Sequence, residues 1–331
     1  MTQRERQILQ LIEQNPMISQ EELAEILGIT RSSVAVHISN LTKKGCIVGR
    51  GYVLRTGSYV VVVGGANVDI CGRSQEGLVY EDSNPGAVSM SIGGVGRNIA
   101  HNLGLMEVDV RMLTACGDDL NGQRLCAAST EAGIDMTHVL KLRDERTSTY
   151  LYITGPDGDM ALAVSDMSIC QRITPEYLAE NLTVPLFVDP VSTVKAEKLR
   201  PILNKIHTLK PNRLEAELLS GVKIESKEDV AKAADKLMEL GVHRLFISLG
   251  GDGVLAAMGE EKLWLPNLPG NMVNTTGCGD SFTAAIVWAY LEGKDLRNTA
   301  MAGLAAGSIT MESHETINPA MSADLLKSRA Y

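Results

Sequence analysis

The sequence predicts a small, mainly α-helical domain at residues 1–57 and an α/β domain at residues 58–331. Three observations carry this prediction. Before residue 58, apolar residues recur at helical spacing in three short segments. From Tyr59 onward, aliphatic runs alternate with helical stretches, which is typical of a doubly wound and mostly parallel sheet. Two segments, residues 78–92 and 147–164, alternate apolar and polar residues and are predicted to form a small β lid.

The N-terminal domain is expected to contain three helices and a small hairpin. A proline ends the first helix, at residues 3–14. Ser19 and Glu22 have the spacing of a capping box at the start of the second helix, and Thr30 is placed to cap the third. Residues 47–54 alternate around two glycines, as a hairpin would. The apolar residues expected to face inward are Ile8, Leu9, Leu11, Ile12, Leu23, Ile26, Leu27, Val34, Val36, Ile38 and Leu41.

This arrangement resembles the winged helix-turn-helix of bacterial regulators. The resemblance implies that the third helix enters the major groove of DNA. Residues 1–55 contain five Arg, two Lys and five Glu, a net charge of +2, which leaves −11 for the remainder. A small domain for dimerisation or docking is the alternative, because a fold alone does not prove a function. The side chains expected to meet DNA are Arg31, Ser32, Ser33, His37, Lys43, Lys44 and Arg50.

Composition excludes several classes of protein. No run of eighteen apolar residues occurs, so no membrane-spanning helix is expected. The N-terminus is charged and lacks the apolar stretch of a secretory signal. Six cysteines form no C-x-x-C pair, which favours reduced thiols in a cytoplasmic protein. The acidic charge of the larger domain makes that domain unsuited to a phosphate backbone.

Buried strands and helices can be placed along the larger domain. The predicted strand at Tyr59–Gly65 is a continuous β-branched run, as expected for a strand buried on both faces. Both lid segments are predicted to be antiparallel hairpins that cover an active site, and a structural flap without a gating role is the alternative. The other predicted strands are residues 110–115, 186–188 and 245–249, and the predicted helices are residues 99–106, 123–132, 213–219, 230–240 and 280–291.

The strongest chemical signal is the segment Asn274–Phe282, which leads from a glycine-rich turn into a long apolar helix. Such a turn directs several unpaired N–H groups at one point, where the helix dipole favours an anion. Gly277 and Gly279 would let the backbone approach that anion closely. Asp280 follows in the first turn and could act as a base beside the anion. A plain glycine turn with Asp280 as a helix cap is the alternative.

Two glycine-rich segments accompany it. Residues 93–98 lack the third glycine of a dinucleotide fingerprint, and no P-loop motif occurs in the chain. Gly94 would instead let a sugar lie against the backbone, with Asn98 donating and accepting hydrogen bonds. Asn67 and Asp69, after the first strand, lie two residues apart and would suit two adjacent ring hydroxyls. Asx turns are the alternative for either residue taken alone.

Two further segments point to a nucleotide. Asn212 and Glu215 have a spacing that puts both side chains on one face at a helix start, which suits a hydrated Mg²⁺ between phosphates. Ser248, Gly250 and Gly253 belong to a glycine-rich strand end that could admit a nucleotide.

Together these segments resemble the ribokinase or PfkB carbohydrate kinase family, across roughly residues 59–325. The resemblance implies a kinase that uses ATP and Mg²⁺, with Asp280 as catalytic base and the backbone of Gly277, Cys278 and Gly279 as anion hole. Asn212 and Glu215 would serve Mg²⁺ and phosphate, with the metal held by Glu215 through water. Ser248, Gly250 and Gly253 would line the nucleotide site, and Asn67, Asp69, Gly94 and Asn98 would hold the sugar.

Within that family, four segments are similar to the bacterial pseudouridine kinases, which act on the 5′-hydroxyl of a C-linked nucleoside. The resemblance therefore implies a nucleoside acceptor and, with the winged helix, a homodimer on DNA. Other nucleosides and sugars remain open, namely inosine, guanosine, adenosine, ribose or a fructose-type acceptor. A transcriptional regulator that only senses the sugar is the rival. The similar segments are residues 79–86, 93–100, 187–192 and 206–217.

Two departures from the family pattern bear on the site. Asn274 stands where the family usually has Asp near a monovalent-cation site, so activation by K⁺ is in question. The chain from Asp166 to Pro185 is also short. The family has a further helix–strand–helix of about thirty residues there, and the end of that strand usually contributes a sugar contact.

Overall fold

The computed structural model of this chain describes residues 2–47, 59–173 and 185–331. The chain divides into two compact units, Met1–Ser58 and Tyr59–Tyr331. Each unit has its own hydrophobic core. Within the described ranges, no helix is long and apolar enough to cross a membrane.

The N-terminal unit contains three helices, α1 Gln3–Gln14, α2 Gln20–Leu27 and α3 Arg31–Lys43. The predicted caps are confirmed, because Ser19 and Glu22 form a capping box and the Thr30 hydroxyl accepts from the N–H of Ser33. The predicted hairpin lies outside the described residues apart from Ile47. The core residues are Ile8, Ile12, Ile18, Leu23, Val34, Ile38, Leu41 and Ile47.

Two of the residues predicted to face inward are exposed instead. Ile26 and Val36 are 59% and 60% exposed. Val36 lies two positions from both Val34 and Ile38, which places it about 200° around α3 from the buried stripe. The buried face of the short helix α2 is centred on Leu23 and Leu27, and Ile26 flanks that face.

The larger unit is an α/β fold with fourteen strands in the described residues. The strands are β1 Tyr59–Val63, β2 Asn67–Ser74, β3 Gly86–Gly93, β4 Asp109–Leu113, β5 Ala115–Gly117, β6 Ile134–Asp135, β7 Leu140–Leu142, β8 Thr149–Thr154, β9 Met160–Asp166, β10 Phe187–Val188, β11 Thr208–Leu209, β12 Arg244–Ser248, β13 Val254–Met258 and β14 Glu261–Leu265. The largest sheet runs parallel from β10 to β12 and antiparallel from β12 to β14. A second, parallel sheet has the order β1-β4-β6, and β5 pairs with β7.

One helix of this unit is apolar all round. Nine consecutive residues of α9 (Cys278–Leu291), from Ser281 to Ala289, are buried. This helix packs between α4 (Val95–Leu105) and α10 (Leu296–Thr310). A helix that is apolar on every side must be surrounded by protein. Its N-terminus therefore has a fixed position in the fold. The helices of this unit are α4 Val95–Leu105, α5 Leu120–Glu131, α6 Thr193–Ala196, α7 Arg213–Ser220, α8 Lys227–Glu239, α9 Cys278–Leu291, α10 Leu296–Thr310 and α11 Ala323–Ala330.

Strand β1 is less buried than its sequence predicts. Tyr59 and Val63, at its two ends, are 48% and 38% exposed. In the described part of the chain β1 pairs only with β4, so it is an outer strand of its sheet. An outer strand is covered less completely than one with neighbours on both sides.

A separate four-stranded sheet of order β3-β2-β8-β9 forms the predicted lid. The hairpin predicted at residues 147–164 is confirmed, because β8 and β9 pair antiparallel around a turn at residues 155–159. The hairpin predicted at residues 78–92 is wrong. Only β3 falls there, and it pairs antiparallel with β2, which lies further upstream. The alternation identifies an extended segment, but tertiary pairing selects its partner. Asn67 and Asp69 consequently lie in a lid strand rather than in a loop.

Candidate active site

Most of the predicted site residues lie where buried strands end and the helix α9 begins. Ser248 is the last residue of β12, and Asn212 forms a parallel bridge with it. In α/β sheets, ligands bind outside the carboxyl ends of the parallel strands, because loops and helix N-termini converge there. The position of these residues is therefore that of a ligand site.

Asp280 lies in the first turn of α9, and its Oδ2 atom accepts a 2.9 Å hydrogen bond from Asn98 Nδ2. This bond joins two segments that are 182 residues apart in the sequence. Burial raises the pKa of Asp280 to about 6, with a smaller contribution from the negative charge of Asp189. The Asn98 hydrogen bond and the positive charge of Lys210 act in the opposite direction. The carboxyl group is therefore poised to exchange a proton near neutral pH.

The turn before α9 is closely packed against its neighbours. Gly277 is the N-cap, with φ of 85°, and a Cβ there would lie 2.2 Å from the carbonyl oxygen of Thr316. A Cβ on Gly279 would lie 3.1 Å from Lys210 Nζ. Burial raises the pKa of the Cys278 thiol, whose Sγ lies 3.5 Å from the Gly307 carbonyl oxygen. The turn thus presents backbone rather than side chains, as an anion hole requires.

Asn274 binds protein atoms through both ends of its amide. Its Nδ2 donates to the carbonyl oxygen of His314 at 3.2 Å, and its Oδ1 accepts from the N–H of Thr276 at 2.9 Å. The side chain thus ties the turn before α9 to the chain segment after α10.

The predicted sugar residues lie together. Asn67 Nδ2 donates to Asp69 Oδ1 at 2.5 Å, and burial raises the pKa of Asp69 while this bond lowers it. Cβ atoms on Gly93 and Gly94 would lie 2.0 Å from Asp69 Oδ2 and 2.8 Å from Asn67 Oδ1. The N–H of Asn98 donates to the carbonyl oxygen of Gly94. Because these two residues lack a Cβ, the backbone before α4 can lie directly against the side chains of Asn67 and Asp69.

Of the residues predicted to bind the nucleotide, some line a common cavity and one does not. Asn212, Ser248 and Gly250 line a cavity of about 520 Å³ that extends to Lys227 and Trp264. Gly253 does not line it. Its φ is 88° and a Cβ would lie 2.1 Å from the carbonyl oxygen of Leu265, so its role is in the turn between β12 and β13.

Glu215, for which the sequence predicts a role with Mg²⁺, has a structural role in the fold. Its Oε2 accepts from the N–H of Asn212, and Asn212 Oδ1 accepts from the N–H of Glu215, which is a capping box for α7. Glu215 is 2% exposed, and burial raises its pKa. In the ranges that the structure describes, no group of three or more His, Cys, Asp or Glu could hold a metal ion. Magnesium often takes one carboxylate, waters and phosphate oxygens, so Glu215 fits a Mg²⁺ that arrives with a nucleotide.

Three residues that the sequence analysis did not select lie in the same place. Asp189 follows β10 and Lys210 follows β11, and Lys210 Nζ lies 2.9 Å from Asp189 Oδ2. Thr283, in α9, donates its hydroxyl proton to the same oxygen at 2.8 Å. The available signal was a charged residue directly after each of two short strands. Both charged residues lie in segments that the sequence analysis selected for their resemblance, residues 187–192 and 206–217, but neither residue was assigned a role there.

Comparison with known proteins follows the division into two units. The model of the pfkB family carbohydrate kinases matches residues 58–175 and 174–323. A model described as winged helix-turn-helix DNA-binding matches residues 1–48.

Two relatives from Escherichia coli K12 cover most of the chain. The uncharacterized sugar kinase YeiI is 37% identical over 353 aligned positions, covering 98% of each chain. Pseudouridine kinase is 38% identical over 298 positions, covering 81% of this chain and 95% of the relative. Among solved structures, a carbohydrate kinase from Agrobacterium tumefaciens has a TM-score of 0.72 at 26% identity and covers 83% of this chain and 97% of its own. Arabidopsis thaliana ribokinase with ribose and ATP has a TM-score of 0.72 at 22% identity, covering 83% and 99%, which shows a shared fold.

Both alignments are longer than the part of this chain that they cover. The first spans 353 positions, but 98% of 331 residues is about 324, so about 29 positions have no counterpart here. The second spans 298 positions and 81% of the chain, about 268 residues, which leaves about 30. The pfkB match breaks at residues 174–175, inside the segment from Asp166 to Pro185. From the break in the family match, we infer that the unmatched positions fall in that segment. In the described residues, β1 and β10 are outer strands of separate sheets.

Proposed function

This chain belongs to the pfkB family of carbohydrate kinases, which are phosphotransferases with an alcohol acceptor, and we propose that it phosphorylates the 5′-hydroxymethyl group of a nucleoside with ATP. The acceptor that we expect is pseudouridine. The observation that carries the proposal is the hydrogen bond between Asn98 and Asp280. It unites the base, the anion-binding turn and the sugar-binding loop at one point.

The proposed chemistry follows from the residues at that point. Asp280, as a carboxylate, accepts the proton of the acceptor hydroxyl while the oxygen attacks the γ-phosphorus of ATP. The bond between that phosphorus and the bridging oxygen breaks, and ADP leaves. The N–H groups at the start of α9 face the negative charge of the phosphoryl group. Asn67 and Asp69 bind the 2′- and 3′-hydroxyls of the ribose, which leaves the 5′-hydroxyl toward Asp280.

The nucleotide is assigned to the cavity lined by Asn212, Ser248 and Gly250. Mg²⁺, when bound, neutralises phosphate charge, and Glu215 would hold it through water. The capping box keeps the Glu215 carboxylate pointing to the start of α7, so the same bond serves the helix and the site.

The nucleoside is favoured over a sugar phosphate for two reasons. The pseudouridine kinase relative is 38% identical to this chain over 95% of its own length. The chain from residue 56 onward carries a net charge of −11, which favours an uncharged acceptor over an anionic one.

A panel of nucleosides and sugars incubated with ATP, with products identified by mass, tests the proposal. We expect pseudouridine 5′-phosphate as product and weak activity on fructose 6-phosphate. Activity on 2′-deoxypseudouridine should fall by orders of magnitude, because the deoxy analogue removes a hydrogen bond that the partly buried Asn67–Asp69 pair would make. A preference for inosine, guanosine or adenosine would refute pseudouridine but keep the reaction. A preference for a hexose phosphate would refute the nucleoside.

A regulatory function is a second candidate because the winged helix-turn-helix match covers residues 1–48. A sensor that only binds a sugar would not need Asp280 as a base, so the raised pKa of this carboxyl favours an enzyme. Both functions can reside in one chain. DNA is therefore proposed as a partner of residues 1–57, with its own test below.

A further inference from the structure

The ion pair between Lys210 and Asp189 is almost fully buried. The two side chains are 7% and 9% exposed. Removing two charges from water costs several kcal/mol, and their mutual attraction offsets this only when the geometry and the surrounding hydrogen bonds are favourable. A buried pair is therefore weak evidence for stability, and its position suggests what else it does.

Lys210 influences both of the carboxylates to which a function is assigned, Asp280 and Glu215. Its Nζ is close to the anion-binding turn, since a Cβ on Gly279 would lie 3.1 Å from it. Its positive charge lowers the pKa of Asp280 and also that of Glu215, while Asp189 raises both. One ammonium group is thus within electrostatic reach of the proposed base and of the carboxylate on the nucleotide side.

Asp189 is fixed by three hydrogen bonds. Its Oδ2 accepts from Lys210 Nζ and from the hydroxyl of Thr283, and its Oδ1 accepts from the N–H of Val191 at 3.0 Å. Val191 has φ of 68°, in the left-handed region that a β-branched residue rarely adopts. Such strain persists where the surrounding structure requires it, commonly at functional sites. The backbone at Val191 is strained, and its N–H completes the hydrogen bonds of this carboxylate.

We propose that Lys210 donates a hydrogen bond to the phosphoryl group as it passes from ATP to the acceptor, and that Asp189 and Thr283 are positioning residues for Lys210. An ammonium has three N–H donors. Within the described residues, its hydrogen bond goes to Asp189 Oδ2, which leaves donors for the γ-phosphate. A preorganised cation stabilises charge on the phosphoryl oxygens more effectively than water that must reorient. This inference rests on the proposed function, because the phosphoryl group must have an acceptor. Its first test needs no acceptor, since it measures only the binding of ATP and ADP.

Nucleotide affinity of the full chain tests the role of Lys210 without any acceptor. In Lys210→Met, we expect the dissociation constant of Mg·ATP to rise about tenfold or more while that of Mg·ADP stays near the wild-type value, because only ATP carries the γ-phosphate. Lys262→Met, which breaks an ion pair with Asp235 at the protein surface, is the matched control and should change neither constant. Equal weakening of ATP and ADP, or no change in either, would overturn the proposal.

Further variants separate positioning from folding. Lys210→Arg keeps the charge and should keep part of the preference for ATP. Asp189→Asn and Thr283→Val should lower turnover with a smaller effect on the affinity for ADP. If Lys210→Met does not fold, the ratio of the dissociation constants of Mg·ATP and Mg·ADP in these two variants tests the proposal instead. An unchanged ratio in both would contradict the proposal. If the wild type binds ATP in this manner but phosphorylates no acceptor of the panel, the proposed function fails and the role of Lys210 stands.

Discussion

At Asp280, opposing influences act on one carboxyl group. Burial and Asp189 raise its pKa, to about 6, and Asn98 and Lys210 lower it. The proton-accepting form is the carboxylate, which prevails above that pH. The activity should therefore be lost on the acid side of the profile rather than on the alkaline side.

The first prediction is a pH profile. Between pH 5 and 8 we expect kcat/KM to rise with pH through an inflection near 6, the pKa of Asp280. Well above that pKa, Asp280→Asn should lower turnover by roughly a hundredfold or more while acceptor binding changes only a few-fold. Asn98→Leu should move the inflection to higher pH because it removes a bond that lowers this pKa. Near-normal turnover in Asp280→Asn would exclude Asp280 as the base.

The second prediction concerns Asn274 and K⁺. Because its Nδ2 donates to the carbonyl oxygen of His314, the amide occupies an oxygen that a cation could otherwise use. We expect turnover to be unchanged when K⁺ replaces Na⁺. In Asn274→Asp the carboxylate cannot donate to that carbonyl, and turnover should then depend on K⁺. Strong activation of the wild type by K⁺ would show that a cation site exists despite the amide.

At the scale of elements, the junction between the glycine turn and α9 is the part of the site that tolerates an added side chain least. A Cβ on Gly277 would clash with the carbonyl oxygen of Thr316. The helix α9 cannot move away to relieve the clash, because residues 281–289 are buried against other elements. The anion-binding N–H groups are thus aimed by the packing of a whole helix.

The third prediction compares two glycines of similar backbone conformation. Gly277→Ala must place its Cβ 2.2 Å from the Thr316 carbonyl oxygen, so we expect the turn to move and turnover to be lost. Gly259 also has positive φ, 59°, but a Cβ there would meet nothing within 4 Å. Gly259→Ala should therefore cost about 1 kcal/mol of stability from the left-handed conformation and leave turnover intact. Equal activity in the two variants, measured beside their melting temperatures, would argue against the anion-hole role.

At the scale of the whole molecule, the N-terminal unit presents a surface that suits DNA only in part. Arg31, Ser32, Ser33 and Lys43 are exposed at α3. Lys44 is held by both carboxylate oxygens of Glu5, whose side chain is 2% exposed. Lys44 therefore stabilises the fold of the unit through this ion pair and is a poor phosphate ligand. Arg50 lies outside the described residues.

The fourth prediction is salt-dependent DNA binding by the full chain. We expect weak retention of duplex DNA at low salt, with an affinity that falls as salt rises. Lys43→Ala and Arg31→Ala should weaken binding and reduce the salt dependence, whereas Lys236→Ala, in α8, should not. Lys44→Ala should lower the melting temperature because it leaves the buried Glu5 without its partner. If no fragment shifts at low salt, the domain is a docking or dimerisation element.

The fifth prediction is the homodimer. Cross-strand pairing places Met90, Ile70, Leu151 and Val164 in one row across the lid, and Val88, Ile153 and Leu162 in the next. Five of these are more than a third exposed. We expect this uncharged face to pack against the same face of a second copy, because a two-fold interface uses the same patch on both subunits. Light scattering should show a dimer, which Leu162→Asp should dissociate and Leu240→Asp, on α8's C-terminal side, should not. A monomeric wild type would refute it.

The sequence by itself determined the local structure and most of the candidate site. Caps at Ser19 and Thr30 and the buried strand-helix alternation are local patterns, since each depends on residues close in the chain. The glycine turn before Asp280 is also local, because a helix N-terminus binds anions through its own backbone. These features could therefore be predicted from the sequence without knowledge of the tertiary structure.

Only the tertiary structure decided which separate segments act together. The partner of β3, the turn role of Gly253 and the pair of Lys210 with Asp189 each depend on contacts between residues that the sequence pattern does not relate. Asn98 reaches Asp280 across 182 residues because α4 packs against α9. Spacing along a chain specifies the face of a helix or strand, but the identity of the neighbour on that face follows from how the elements pack.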